Sequence, residues 1–144
     1  MKIVFLLVIV LIACGLLYIR FAPSEEAKWH TSSYPMVPGD HASEGGFAKV
    51  MFIDAAPQDA LVEMDRIIME TPRTTRLAGT TDQGMVTYVT RSLLMGFPDY
   101  TTVEAQTVAE GTILIINSRL RFGQSDMGVN QKRLMGWMQD FNLS

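Results

Sequence analysis

The chain has 144 residues, of which 48% are hydrophobic and 19% are charged, and its formal net charge is −3. A chain of this size can bury one hydrophobic core unaided, and its acidic balance argues against nucleic acid as a partner. It contains one cysteine and two histidines. One cysteine cannot form an intrachain disulfide, and two isolated histidines do not make a metal site. We therefore predict no metal and no cofactor.

The first predicted element is a membrane span. An unbroken apolar run extends from Ile3 to Ile19 between Lys2 and Arg20. As a helix it would be about 26 Å long, enough to cross a bilayer core of roughly 30 Å if the two flanking cations reach outward. We predict a transmembrane signal anchor over residues 1–20, and its apolar surface includes Ile3, Phe5, Leu7, Leu11, Leu16 and Ile19.

Two other interpretations of this segment remain open. A cleaved secretory signal would have a shorter apolar region, and the Leu11–Cys14 stretch has the form of a lipid-attachment box. The chain stays apolar after Cys14, which favours an uncleaved anchor, and whether Cys14 carries a lipid is left open. A very short N-terminal tail usually stays in the cytoplasm. We therefore expect a single-pass protein of a bacterial inner membrane with its domain in the periplasm.

Residues 21–46 are predicted to be an extended tether. Prolines and glycines recur in this stretch, polar residues dominate it, and no hydrophobic period is visible. Both histidines fall here and are interpreted as surface residues.

Residues 47–144 are predicted to form an α+β domain of order β-α-β-β-β-α. Residues 47–53, 85–95, 101–109 and 112–120 are rich in β-branched residues and alternate at period two, as strands do. A helix is expected from Pro57 to the Thr71–Pro72 stop, and another from about Asn130, each with one apolar stripe. Because the last three strands are joined by short turns, the sheet must be antiparallel, and we expect the two helices to back it.

Three motifs in the outer domain resemble a known family. They are PRTTRLAG at residues 72–79, GFPDY at 96–100 and SRLRFGQSDMGVNQKR at 118–133. Together they are similar to the signature of the domain of unknown function 1499 family, which occurs in bacteria and photosynthetic eukaryotes. The resemblance covers nearly all of the outer domain. It implies a domain boundary but no activity, because no established activity comes with that family.

A cluster of arginines and carboxylates is the candidate site. Arg119 and Arg121 are two residues apart on a predicted strand and should share a face. In a structural interpretation, Asp99 and Asp126 pair with Arg119, Arg121 or Arg133 to hold the 123–130 loop, and Asn130 caps the last helix. In a functional one, unpaired arginines form a pocket for a carboxylate, a phosphate or a lipid head group. The full candidate set is Arg91, Arg119, Arg121, Arg133, Asp99, Asp126, Asn130 and Tyr100.

Two catalytic motifs are nearly matched but incomplete. The loop at residues 123–130 has Val129 and Asn130 where a phosphate-binding loop needs lysine and a hydroxyl residue. It also has Met127 where a nucleophile elbow needs its second glycine. An acid–base pair of Asp99 and Asp126 would be needed for a hydrolase, which is our least favoured hypothesis.

We therefore expect a non-catalytic, membrane-anchored interaction domain. The favoured role is an accessory or assembly subunit of an integral complex in a bacterial inner membrane, for example an energy-transducing one. The alternative is a periplasmic binding module for a small anion or a lipid head group at the arginine cluster.

Overall fold

The computed structural model describes residues 1–32 and 35–143, which form one six-stranded antiparallel sheet, two helices packed on it, an N-terminal helix and a short helix that follows the N-terminal one. The elements are α1 (Lys2–Phe21), α2 (Glu26–Trp29), β1 (Gly39–Ser43), β2 (Gly46–Ile53), α3 (Pro57–Met69), β3 (Thr74–Thr80), a 3₁₀ turn (Thr81–Gln83), β4 (Met85–Arg91), β5 (Pro98–Val108), β6 (Gly111–Leu120) and α4 (Val129–Asp140). The predicted α+β class and antiparallel sheet are confirmed.

Helix α1 is long and apolar enough to cross a membrane. None of its residues is buried in the protein, so its apolar side chains face outward over nearly its whole length. That exposure is what a lipid-facing helix shows, and a core helix of a soluble domain does not.

The sheet order is β1-β2-β6-β5-β4-β3. The longest strands, β5 and β6, lie at the centre, and β1 and β3 form the edges. These two edge strands were absent from the predicted order, and β1 lies within the segment predicted to be a tether. The stretch from residue 21 to 46 is therefore only partly irregular.

One face of the sheet is covered by α3 and α4, and the hydrophobic core lies between them. Helix α3 starts at Pro57, whose fixed φ suits the first helical position. It buries Leu61, Met64 and Ile68 against the sheet, at the spacing of one helical face. From α4, Leu134 and Trp137 complete this core. The Trp137 indole donates to Thr71 Oγ1 at 2.8 Å, so its buried nitrogen is satisfied.

Candidate functional site

The segment at residues 22–32, called here the latch segment, lies across the sheet face opposite α3 and α4. The indole ring of Trp29 stacks on Tyr100, with ring centroids 3.9 Å apart and planes 9° from parallel. Ser24 Oγ lies 2.7 Å from Tyr100 Oη, and His30 Nδ1 lies 2.9 Å from Thr87 Oγ1. The chain leaving α1 is therefore fixed to the sheet, because its side chains bond to strands β4 and β5.

A glycine on β3 permits this close approach. Gly79 has a φ of +79°, and a Cβ there would lie 2.6 Å from His30 Cε1 and 2.1 Å from Met85 O. No side chain fits at that distance, and L-residues also avoid that backbone conformation. Gly79 belongs to the PRTTRLAG motif, so part of that motif serves the docking of the latch segment.

Two of the predicted arginines bind the latch segment through backbone carbonyls. Arg119 Nη2 donates to Trp29 O at 2.8 Å and to Thr102 Oγ1 at 2.7 Å. Arg121 Nη1 donates to Pro23 O at 2.7 Å and to Tyr100 Oη at 3.2 Å. Neither forms an ion pair with a carboxylate of the described residues. Burial lowers the pKa of Arg119, and its Nε is a buried donor without a partner in the described part of the chain.

The other predicted residues form a separate group around the start of α4. Arg133 Nη2 pairs with Asp99 Oδ2 at 3.1 Å, and both side chains are 15% exposed. Arg133 Nη1 donates to Asn130 Oδ1 at 3.0 Å. Asp126 accepts the backbone N–H groups of Gly128 and Asn130, so Asp126 performs the capping that we expected of Asn130.

Burial is the main influence on Asp99. It raises the pKa of this carboxyl, the neighbouring Arg133 opposes that rise, and the negative charge of Asp126 adds to it. Both oxygens of Asp126 accept from backbone N–H groups at the start of α4, and Asp99 is paired with Arg133. These contacts account for both carboxylates, so they give the hydrolase hypothesis no support.

A cleft lies where α1 meets the sheet. It has a volume of about 590 Å³. Three arginines line it, and no carboxylate does. The lining residues are Arg20, Phe21, Ala22, Pro23, Ser24, Arg73, Thr75, Val89, Arg91, Ser92 and Gly96.

The three cleft arginines keep most of their donors available. Arg73 Nε donates to Arg91 O at 3.0 Å, and Arg91 Nη1 donates to Gly96 O at 3.0 Å. These bonds orient the two side chains but leave both Nη groups of Arg73, and Nη2 of Arg91, without a hydrogen-bond partner in residues 1–32 and 35–143. Arg20 makes no ion pair within those same ranges. Arg73 also has a φ of +61°, a strained backbone conformation that persists most often at functional positions.

The sequence-based cluster included Arg91 but missed Arg20 and Arg73. Arg73 is the first arginine of PRTTRLAG, and Arg20 ends the anchor, so both were visible as features of the sequence. Nothing in their spacing showed that they meet, because 53 positions separate them in the printed sequence. Among the described residues, no group of three or more His, Cys, Asp or Glu side chains could hold a metal ion.

The fold and the cleft define an α+β domain with an apolar helix at its N-terminus. The domain packs against the C-terminal end of that helix. Residues 35–141 match the family described as "Protein of unknown function (DUF1499)". The chain belongs to the DUF1499 family, as its three motifs predicted. No curated protein matches the chain.

A solved structure of an uncharacterised protein from Rhizobium leguminosarum is similar over 88% of this chain and 82% of that chain. The two sequences are 10% identical and the TM-score is 0.35.

Proposed function

We propose that this protein is a single-span, membrane-anchored binding domain that holds a phosphate-bearing anion in the three-arginine cleft. The observation that carries the proposal is the combination of Arg20, Arg73 and Arg91 around one cleft without a carboxylate. Guanidinium groups match the geometry of phosphate oxygens. Three of them left unneutralised in one place repel one another, and an anion would remove that repulsion.

The position of the cleft favours a phosphate at a membrane surface. Arg20 belongs to the last turn of α1, where a span of this length would leave the hydrocarbon layer. Head-group phosphates lie at that level. A basic residue near an anionic surface contributes roughly 1 kcal/mol to attraction. The anion can come from a phospholipid head group or from a free phosphate, and the test must separate these sources.

The test uses the full-length protein in nanodiscs. Its melting temperature is measured in phosphatidylcholine discs, in the same discs with inorganic phosphate, and in discs containing phosphatidylglycerol. We expect phosphatidylglycerol to raise the melting temperature, since binding only to the folded state stabilises it. Stabilisation by inorganic phosphate alone would identify a soluble ligand instead.

The matched variants are Arg73→Gln and Arg66→Gln. Arg73 lines the cleft, whereas Arg66 is an exposed arginine of α3 that pairs with Glu63 and Glu70. We expect Arg73→Gln to remove most of the stabilisation by the anion and Arg66→Gln to keep it. Equal stabilisation of both variants would refute the proposed site.

In a second candidate function, the protein is an accessory subunit of an integral complex of a bacterial inner membrane, and its domain lies in the periplasm. The observation that favours it is the rigid connection between α1 and the sheet through Arg121 and Trp29. A free tether would let the domain move over a wide area, whereas a fixed one holds it beside one neighbour. Purification in mild detergent, compared with a variant carrying an unrelated span, tests this function. Recovery of the protein alone in both cases would exclude it.

A further inference from the structure

The β4–β5 loop at residues 92–97 presents three consecutive apolar side chains at its tip. Leu93 is 68% exposed, Leu94 is 85% exposed and Met95 is 44% exposed. Single exposed apolar residues are common on protein surfaces. A run of three at one turn is an aggregation hazard unless something covers it.

The loop has a fixed conformation. Ser92 N donates to Phe97 O at 3.0 Å, and Gly96 N donates to Ser92 O at 3.2 Å. Phe97 N donates to Ser92 Oγ at 2.9 Å. These bonds close the base of the loop and satisfy its backbone groups there, so the tip holds its apolar side chains outward. None of these three bonds involves the backbone of Leu93–Met95, so the tip suits the hydrated interfacial layer of a bilayer and not its hydrocarbon core.

The loop lies beside the end of the anchor. Gly96 has a φ of +70°, and a Cβ on it would lie 3.0 Å from Arg20 Cγ. Two aromatic contacts also connect the base of the loop to the end of α1. The rings of Tyr18 and Phe122 are 6.5 Å apart, and those of Phe97 and Phe122 are 6.3 Å apart. Tyr18 is inside α1, about 3 Å along the helix axis before Arg20. The domain therefore reaches the level at which the span ends.

We infer that the Leu93–Met95 tip is a second membrane contact, inserted into the interfacial layer of the same bilayer that α1 crosses. The occupant is phospholipid because the tip is continuous with the end of the span and lies at the level of Tyr18, where aromatic side chains mark a membrane interface. Arg20 and Arg91 flank the tip at its base, as basic residues flank segments that enter the interface. Two contacts, the span and the tip, would fix the tilt of the domain and hold the three-arginine cleft at the head groups.

This inference rests on the anchoring part of the proposed function and is independent of the cleft. The experiment uses the full-length chain with Cys14→Ser and one new cysteine, labelled with an environment-sensitive fluorophore, in phosphatidylcholine nanodiscs with or without spin-labelled lipid. The test position is Leu94→Cys, and Leu93→Cys repeats it. The control is Glu110→Cys, an exposed position in the β5–β6 turn, about 35 Å away along β5.

We expect the Leu94 label to emit at shorter wavelength than the Glu110 label and to be quenched several-fold by the spin-labelled lipid. Water-like emission from both positions would overturn the inference. A short-wavelength emission at Leu94 without lipid quenching would overturn it as well, since protein and not lipid would then cover the tip. Incorporation of the protein into the discs is measured separately. A failure of α1 to anchor the protein is thereby distinguished from a failure of the tip to insert.

Discussion

The latch segment supplies the sharpest test of the structure, through the change Trp29→Ala. Trp29 is partly buried against Tyr100, and about 120 Å² of apolar surface removed from water at roughly 25 cal/mol per Å² is worth about 3 kcal/mol. The ring stacking contributes up to about 1 kcal/mol more. Alanine loses most of both contributions, while Arg119 can still bond to the carbonyl of residue 29. We therefore expect the latch segment to open more easily by about 3 kcal/mol.

Trypsin measures this opening at Lys28, which is exposed and directly precedes Trp29. When closing is fast relative to cleavage, the cleavage rate follows the population of the open form. A change of about 3 kcal/mol corresponds to a roughly 150-fold faster cut. Because the substitution alters the cleaved bond, each rate is divided by that of a matching synthetic peptide.

The control is Glu26→Ala, an exposed position in the same segment, which should leave the rate at Lys28 unchanged. An acceleration by Trp29→Ala of less than about fivefold, a change of only about 1 kcal/mol, would show that the stacking of Trp29 on Tyr100 does not hold the latch segment closed.

Two further predictions concern carboxylates of the domain. Arg76 and then Tyr88 bond to Asp65 and lower the pKa of its carboxyl below the ordinary 3.8, so its stabilisation is full above that value and disappears as the pH falls through the folded-state pKa. Asp65→Asn should lower the free energy of unfolding by about 2 kcal/mol at pH 7. The loss should be smaller at pH 2, below the ordinary pKa, and urea titrations at both pH values measure it. An equal loss at the two pH values would contradict the ionic explanation. Arg133→Met should lower the free energy of unfolding by about 3 kcal/mol at pH 7, because it leaves the largely buried charge of Asp99 unpaired. Burial raises the pKa of Asp99, so the folded state gains stability as the pH falls towards 3.8, and the loss should shrink from pH 7 to pH 4; a loss independent of pH would exclude this cause.

The sequence predicted the elements that pack on the hydrophobic core. Strands β2, β4, β5 and β6 are rich in apolar and β-branched residues, because one side of each packs on that core and much of the other side is buried as well. Helix α3 shows a complete apolar stripe. Strands β1 and β3 were missed because they are the two edges of the sheet. The β1 sequence GDHAS has no alternation, since its five residues are exposed or half-buried. Polar, short edge strands resist further pairing and for the same reason give little signal.

The candidate site was predicted only in part. Strand geometry predicts that Arg119 and Arg121, two residues apart, extend to the same side of the sheet. Their partners in the latch segment could not be predicted, because they are backbone carbonyls 90 and 98 residues earlier in a segment without periodicity. A carbonyl has no residue type, so no motif identifies it. Arg133 was one of three arginines considered as partners of Asp99, and the structure pairs these two side chains.

The latch segment and the three-arginine cleft are parts of one unit, and this can be tested by their coupling. Pro23 and Ser24 form a wall of the cleft, while Trp29 lies outside it and holds the same segment on the sheet. Opening of the latch segment therefore removes the wall, and Trp29→Ala should weaken binding of phosphatidylglycerol although it removes no ligand contact. By thermodynamic linkage, binding of the lipid must oppose opening of the latch segment by the same factor. Discs with phosphatidylglycerol should therefore slow trypsin cleavage at Lys28. Arg73→Gln should abolish that protection without changing the cleavage rate in phosphatidylcholine discs. Identical cleavage in both kinds of disc would separate the latch segment from the cleft, and the anchor would then hold the domain without shaping its site.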